Sequence, residues 1–437
     1  MTGSFLFSPL ALRGVTLRNR VMVSPMWQYS GRDFFPTDWH FMHLGRMAAG
    51  GASLVMQEGT AVERRGCGSV ADLGIWDDRF IAPLRRITDF IRSFDAVPGI
   101  QLLHCGRRAK MELPWGGRKA LAVAPEGLDD FDQWDVVGPS PISQSAEYHT
   151  PRALALAEIA TIVEAWGSAA ERSLRAGYDV IEIHAAHGYL IHEFLSPAAN
   201  RRTDRYGGSH ENRCRLLIEI VEAVRGRWPA DKPLLVRLSI EDEAGWSIED
   251  SLALIRVLKS IGVDAIDCTA GGITNSPLLS KHAGEYGYQV GLAERVRAET
   301  VIATIAVGLI VHADQAEAIL RKGQADMVAI GRELLYNPNW PIDAGQKLAR
   351  TRTSRSRPCS MASIWSVAPN PSSAGPRLFR SASILGRSRE LEAPLTRSPR
   401  PRATRRSPRQ RSPNRAGQQR YVRPHRAAGS EPRVWSG

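Results

Sequence analysis

The sequence is poor in cysteine, and its few cysteines show no paired spacing. They are scattered over 437 residues at Cys67, Cys105, Cys214, Cys268 and Cys359. Such spacing indicates neither a disulfide framework nor a zinc site, so no metal is expected. No apolar run is long enough to span a bilayer, and no early segment combines a basic start, an apolar run and a small-residue cleavage site. These absences favour a cytoplasmic protein without a membrane role.

A Gly-x-Gly-x-x-Gly motif after the first apolar run is also absent, which weakens the main alternative fold, a doubly wound dinucleotide-binding sheet. Short apolar runs instead alternate with amphipathic helical stretches, a pattern typical of a parallel sheet covered on both faces. The alternation predicts an α/β protein with a (β/α)8 TIM barrel. The predicted strands are 20–26, 52–61, 97–104, 178–185, 233–240, 263–271, 300–308 and 325–332.

Lysine is absent from Thr351 to Gly437, where 19 arginines and three acidic residues give a net charge of +16. Because the whole chain carries +12, the first 350 residues carry −4. We predict a barrel domain over 1–348 and a disordered Arg/Ser/Pro-rich tail over 349–437. Two interpretations of the tail stay open: an arm that binds nucleic acid or another polyanion, or a GC-rich gene read out of frame. The abrupt start, where a last barrel helix should continue, favours the second.

Glycines and arginines mark the ends of the later predicted strands. In a (β/α)8 barrel, ligand-binding groups come from the carboxyl ends of the strands. Gly308 ends the seventh predicted strand and Gly331-Arg332 ends the eighth, which is typical of backbone N–H groups that hold a phosphate. Arg237 is a charged residue at the end of a buried strand, a costly position unless it faces an anion.

The segment "HAAHGYL" places His184 and His187 three residues apart, where the fourth predicted strand gives way to a loop. A metal site would need a third ligand, and no suitable spacing supplies one. Two neutral imidazoles that donate to one oxygen would instead polarise a carbonyl or a phenolate. The alternative is that one of them is a structural histidine bonded to a backbone carbonyl.

Six segments carry a family resemblance: "SPMWQYS", "DWHFMHLG", "GIQLLHCGRRA", "EIHAAHGYLIHEFLSPAANRRTDRYGGSHENR", "LLVRLS" and "ADMVAIGRELLYNPNW". They resemble the Old Yellow Enzyme family, most closely its bacterial thermophilic-type or xenobiotic-reductase-like ene-reductases. The resemblance extends from Leu6 to Pro341. It implies a (β/α)8 barrel that binds FMN non-covalently and takes a hydride from NADPH or NADH. The hydride then passes, in a ping-pong reaction, to the C=C bond of an activated alkene such as an unsaturated carbonyl or nitro compound.

The resemblance also assigns flavin contacts to positions of this sequence. The segment after the first strand would lie against the flavin, Gly59 and Gln101 would bond the pyrimidine edge, and Arg237 would stabilise the negative charge of the reduced ring. Gln101 could instead only cap its strand. The other implied cofactor-binding residues are Ser24, Pro25 and Met26 against the ring and Gly308, Gly331 and Arg332 at the phosphate.

The implied substrate site is formed by histidine and aromatic residues. His184 and His187 would bind the carbonyl or nitro oxygen, and Tyr189 would give a proton to the α-carbon unless it only packs. Tyr29 and Trp27 would line the pocket. Trp27 stands where this branch usually has a cysteine, so thiol chemistry is excluded at that position.

The ene-reductase interpretation has two alternatives. Dienoyl-CoA-type reductases have a cysteine cluster beyond the barrel for an iron–sulfur centre, and here only Cys359 lies there. From another class, the chain could be a catalytically impaired FMN-binding protein whose basic tail binds nucleic acid. The resembling branch also forms homo-oligomers through a segment after the last strand, and nothing in 349–437 resembles that segment.

Overall fold

The computed structural model describes residues 3–274, 282 and 284–353. The segment from 354 onward lies outside these ranges, so the disordered tail and its boundary at 348 stay predictions. No helix within the ranges is long and apolar enough to cross a membrane.

The strands and helices alternate along the chain. The strands are β1 (Leu10–Leu12), β2 (Val15–Leu17), β3 (Val21–Val23), β4 (Leu54–Ala61), β5 (Leu73–Gly74), β6 (Val97–Leu103), β7 (Val137–Gly138), β8 (Arg152–Ala153), β9 (Val180–Ala185), β10 (Leu234–Ser239), β11 (Ala265–Thr269), β12 (Ala303–Ala306) and β13 (Met327–Ile330). The helices are α1 (Asp38–Ala49), α2 (Ile81–Arg92), α3 (Leu156–Arg175), α4 (Leu190–Leu195), α5 (His210–Arg225), α6 (Ile248–Ser260), α7 (Val290–Thr300), α8 (Ala313–Arg321), α9 (Arg332–Tyr336) and α10 (Trp340–Thr353).

Eight parallel strands close into a barrel in the order β3, β4, β6, β9, β10, β11, β12 and β13, and β13 pairs back to β3. The closed ring confirms the (β/α)8 prediction and rules out an open doubly wound sheet, which would leave two unpaired edges. All eight predicted strands are present. Each is shorter than predicted, as for Val21–Val23 against 20–26, because the flanking residues form the loops at the barrel ends.

The amino-terminal end of the barrel is filled by apolar side chains. Alternate strand residues point inward, and one buried cluster collects inward residues near the strand starts: Met22, Leu54, Val180, Leu235, Ala265, Ile305 and Met327. The antiparallel hairpin β1–β2 adds Leu12 and Leu17 to this cluster. This cluster forms an apolar plug in the amino-terminal end of the barrel. A ligand site therefore has to lie at the carboxyl ends of the strands.

The helices cover the outside of the barrel through apolar stripes. In α3 the buried positions include Ile159, Ile162, Trp166, Ala169 and Ser173, which recur at intervals of three and four residues. This spacing puts them on one face of the helix. The apolar members of this face join the outward strand residues Ile181 and Ile183 in the main core cluster, so the barrel wall is buried on both faces.

Candidate active site

Three neighbouring strands place polar groups inside the barrel, above the apolar plug. In β9, Ile181 and Ile183 pack in the outer core while Val180 packs in the inner cluster. The two-residue period of a strand therefore directs Glu182 and His184 inward with Val180. The same alternation in β10 and β11 directs these residues inward: Arg237, Ser239, Asp267 and Thr269.

A buried charge layer lies directly above the plug. The amide of Gln101 donates to Glu182 (2.6 Å), and Arg237 Nη1 donates to the Ser24 hydroxyl at 3.2 Å. Arg237 Nε lies 3.4 Å from Asp267 Oδ2 and has no hydrogen-bond partner among the described residues. Burial raises the pKa of Glu182 to about 8 and also raises the pKa of Asp267, against the opposing charge of Arg237. Burial therefore favours the neutral form of the Glu182 carboxyl.

The predicted phosphate corner is formed by the ends of β12 and β13. Gly308 has a φ of +103°, a conformation that side chains rarely adopt, and a Cβ there would lie 3.1 Å from the Tyr288 ring. Gly331 precedes α9, whose first residue is the exposed Arg332. The two glycines thus end adjacent strands, with a cation beside the second.

The segment after β3 joins this corner. The Ser24 N–H donates to Ile330 O of β13 (3.0 Å). A Cβ on Gly331 would meet the Met26 sulfur at 3.4 Å, and Pro25 between them is half-buried. Ser24, Pro25 and Met26 therefore lie between the glycine corner and Arg237, which the Ser24 hydroxyl contacts.

Gly59 lies at an irregularity of β4, where the pairing with β6 shifts register between Gln57 and Thr60. A Cβ on Gly59 would lie 2.9 Å from Leu103 and 3.4 Å from Gln101 Oε1. The Gly59 carbonyl accepts the indole N–H of Trp27 at 3.3 Å. The structure thus brings Gly59, Gln101 and Trp27 to the same side of the barrel mouth.

His184 and His187 point their ring nitrogens at each other. His184 Nε2 and His187 Nδ1 are 3.4 Å apart, and the rings meet edge to face. Burial holds the pKa of both imidazoles well below the ordinary value, and the positive charge of Arg237 lowers it further. Both histidines are therefore neutral, and two N–H groups on these nitrogens would converge on one acceptor.

The strand ends of β10 and β11 hold His187 in place. The backbone N–H of His187 donates to the Ser239 hydroxyl (3.1 Å), which itself donates to the backbone carbonyl of Gly271 (2.8 Å). The Thr269 hydroxyl lies 3.0 Å from His187 Nε2. These contacts fix a backbone conformation with φ of +59°, which is uncommon for a residue with a side chain. Thr269 and Ser239 therefore decide where the ring points.

Aromatic side chains form the wall of an adjacent cavity of about 350 Å³. The Tyr189 ring lies 5.0 Å from the His184 ring and 5.4 Å from the Trp27 ring. Tyr29 lies 5.9 Å from Trp27 and also lines the cavity. Burial raises the pKa of Tyr189 well above its ordinary value, so its phenol keeps its proton.

Every predicted site residue lies at the barrel mouth, but several groups in the same region were not predicted. Glu182, Asp267 and Thr269 could have been found by extending the two-residue period of their strands inward. Arg108 gave no such signal, because it lies in a short 3-10 turn, Gly106–Arg108, that no periodic pattern marks. The ligand roles of the predicted residues stay predictions.

The chemistry of this region fits FMN. A buried guanidinium whose Nε makes no hydrogen bond within the described residues suits the anionic edge of a reduced flavin, and the paired glycines with Arg332 suit a phosphate. Arg237 and the residues at the end of β3 would hold the ring, and the glycine corner would hold the phosphate.

Comparison with known proteins agrees with this picture. The sequence profile of the NADH:flavin oxidoreductase / NADH oxidase family matches residues 5–351. The NADPH dehydrogenase of Geobacillus sp. (strain WCH70) is 41% identical over 352 residues, which cover 80% of this chain and 96% of that protein.

Solved structures show the same fold. Morphinone reductase in complex with tetrahydroNAD superposes with a TM-score of 0.65 at 29% identity, over 79% of this chain and 91% of that one. The old yellow enzyme homologue from Zymomonas mobilis has a TM-score of 0.64 at 24% identity, over 84% and 98% of the two chains, and shows the fold alone. The resemblance seen in the sequence is confirmed: the chain belongs to the NADH:flavin oxidoreductase / NADH oxidase family, the Old Yellow Enzyme family, and is an FMN-dependent NAD(P)H oxidoreductase.

Proposed function

We propose that the protein is an ene-reductase, which reduces the C=C bond of alkenes activated by a carbonyl or nitro group. The observation that carries this proposal is the 3.4 Å approach of His184 Nε2 and His187 Nδ1, two neutral imidazoles at one barrel mouth. Donors that converge on one oxygen withdraw electrons from a conjugated alkene and make its β-carbon electrophilic. FMN held by the barrel mouth would supply the hydride, which it would take from NADPH or NADH.

The histidine tautomers support this role. His184 Nδ1 accepts the Ala186 N–H at 3.3 Å, which leaves the ring proton on Nε2. When the Thr269 hydroxyl donates to His187 Nε2, the proton of that ring is on Nδ1. Both protons then face the same point, where a substrate oxygen can accept two hydrogen bonds.

Tyr189 supplies the proton of the reaction. Its ring packs against His184, and its phenol stays protonated because burial raises its pKa. Hydride arriving at the β-carbon leaves negative charge on the α-carbon and the substrate oxygen. The two histidines hold that charge while the Tyr189 phenol protonates the α-carbon, and Trp27 and Tyr29 exclude water from the pocket.

Isotope labelling tests the proposal directly. The FMN-loaded protein is incubated without oxygen with cyclohex-2-enone and NADPH carrying deuterium on C4 of the nicotinamide, and the product is analysed by NMR. We expect 3-deuterocyclohexanone, and solvent deuterium at C2 when unlabelled NADPH is used in D2O. Tyr189→Phe should slow enone reduction by about 10²-fold or more while ferricyanide, which needs no proton, is still reduced.

Reduction of the carbonyl to an alcohol, or deuterium from NADPH at C2, would contradict the assignment. A flavin-loaded protein that ignores enones altogether would favour the alternative, an impaired FMN-binding protein with a polyanion-binding tail.

A further inference from the structure

The cavity beside the histidines contains a cation that the proposed reaction does not use. Arg108 is half-buried and lines this cavity with Trp27, Tyr29, Tyr148 and Tyr189. Its guanidinium carbon lies 5.0 Å from the Tyr189 ring centre, and Nη1 donates to the His187 carbonyl. The turn Gly106–Arg108 and the His187 loop therefore fix the position of this charge.

Within the part of the chain that the structure describes, Arg108 makes no ion pair with a carboxylate, and Tyr148 is a side-chain hydrogen-bond partner of its guanidinium. Two carboxyls do line the same cavity. Asp72 accepts the Gly68 N–H and the Ser69 hydroxyl, and its burial raises its pKa to about 6. Glu112 lies on the long loop that follows the turn and makes no ion pair with Arg108. A half-buried guanidinium that forms no direct ion pair with either carboxyl can still gain from a carboxylate ligand that hydrogen-bonds to it.

The Tyr189 ring contacts both this charge and the histidine pair. Its centre is 5.0 Å from the centre of the His184 ring and 5.0 Å from the guanidinium carbon of Arg108. A ligand whose oxygen reaches the histidines can therefore extend past Tyr189 and place a second group at Arg108. The aromatic walls suit a flat, conjugated body between the two ends.

We propose that Arg108 is a specificity-determining residue that selects activated alkenes with a carboxylate, or a similar anion, at the end remote from the activating carbonyl. The inference rests on the proposed ene-reductase function and names its substrate class. The carbonyl oxygen lies on His184 and His187, the alkene lies over the flavin site, and the carboxylate accepts hydrogen bonds from the guanidinium.

NADPH, the hydride donor, carries phosphates, which are a second kind of anion that the Arg108 guanidinium can bind. In a ping-pong reaction the donor and the alkene bind to different forms of the enzyme. Reduction of the flavin by NADPH and its reoxidation by the alkene can therefore be measured separately. The first measurement tests binding of an NADPH phosphate to Arg108, and the second tests binding of the substrate carboxylate.

A matched pair of substrates tests the inference. 4-Carboxycinnamaldehyde and 4-carbamoylcinnamaldehyde differ only in the charge at the remote end. We expect wild-type kcat/KM to favour the carboxylate by about tenfold or more, which corresponds to a charge-assisted hydrogen bond. Arg108→Met should bring the ratio near one, and Arg108→Lys should keep part of the preference.

Arg118 supplies the matched control. It lines the same cavity but is exposed to solvent, so Arg118→Met should leave the ratio within about twofold of wild type. FMN content, read from the visible spectrum, shows that each variant is folded.

Several results would overturn the proposal: no preference in the wild-type protein, a preference that survives in Arg108→Met, or one lost in Arg118→Met. A defect of Arg108→Met confined to flavin reduction by NADPH would assign the guanidinium to the hydride donor. If neither aldehyde is reduced and cyclohex-2-enone is not reduced either, the proposed function fails, yet Arg108 remains testable by calorimetry. We then expect the FMN-loaded protein to bind 4-hydroxybenzoate more tightly than 4-hydroxybenzamide, and only through Arg108, and equal affinities would overturn the proposal.

Discussion

At the scale of single residues, the tautomer of His187 depends on Thr269, a neighbour in space that no sequence motif indicated as a site residue. The Thr269 hydroxyl is buried, and its only hydrogen bond within the described ranges is the one to His187 Nε2. If Thr269 donates, His187 presents Nδ1–H to the substrate. If it accepts, the ring proton of His187 is on Nε2, and the unprotonated Nδ1 accepts a hydrogen bond from His184 Nε2–H. Neither ring then has an N–H group left to donate to a substrate oxygen at this point. One hydroxyl thus decides whether the pair has two donors to offer.

We expect Thr269→Val, which keeps the shape and removes the hydroxyl, to weaken phenol binding to the oxidised enzyme by about 1–3 kcal/mol. A phenolate needs both N–H donors, and valine cannot orient the second. The dissociation constant is measured by titration of the flavin spectrum. Thr269→Ser is the matched control and should restore binding. If the valine and serine variants bind phenol equally well, Thr269 does not set the tautomer.

At the scale of elements, strands were predictable and short helices were not. Buried parallel strands are continuous apolar runs, so all eight barrel strands could be found in the sequence. The six-residue helix α4 is buried at every position, and such a helix carries no amphipathic period. It nevertheless positions the site, because it begins directly after Tyr189 and its Glu193 accepts the Arg107 N–H (2.9 Å).

Glu193 makes the stability of this element sensitive to pH. Burial raises its pKa to about 8, while the nearby Arg107 opposes the shift. A carboxyl with a raised pKa in the folded state stabilises the fold below its unfolded pKa, and that stability is lost as the pH rises through about 8.

We therefore expect the melting temperature of the wild-type protein to fall more steeply between about pH 5 and 8 than that of Glu193→Gln. Each pH unit costs at most about 1.4 kcal/mol. Glutamine keeps an acceptor for the Arg107 N–H but cannot ionise. Glu182, which titrates in the same range, is present in both proteins, so the difference isolates Glu193. If the melting temperatures of the two proteins change in parallel with pH, Glu193 does not ionise in this range.

At the scale of the whole molecule, barrel closure assembles the site from distant parts of the chain. The hydrogen bond from Arg237 to Ser24 joins residues 213 positions apart, and the one between Thr269 and His187 joins residues 82 apart. The family motifs made most of the site residues predictable. The contacts between strands depend on the barrel's register, which the sequence does not state, so the charge layer and the place of Arg108 emerged only from the structure.

The tail and the oligomeric state also belong to this scale. The resemblance implies a homo-oligomer, and the segment that would carry the shared contacts falls largely in 354–437, outside the described residues. Both the disordered tail and the homo-oligomer stay predictions. The barrel mouth, by contrast, is built from residues before 333, and we expect a working flavin site whatever the tail does.

The measurement that tests the central claim most directly is the visible spectrum of the full-length protein without oxygen. We expect a flavin band that bleaches on adding NADPH and returns on adding cyclohex-2-enone, since both half-reactions use the same site. A band that bleaches with NADPH and stays bleached with the enone would contradict the role of His184 and His187. A protein that binds no FMN, even after reconstitution, would contradict the site itself.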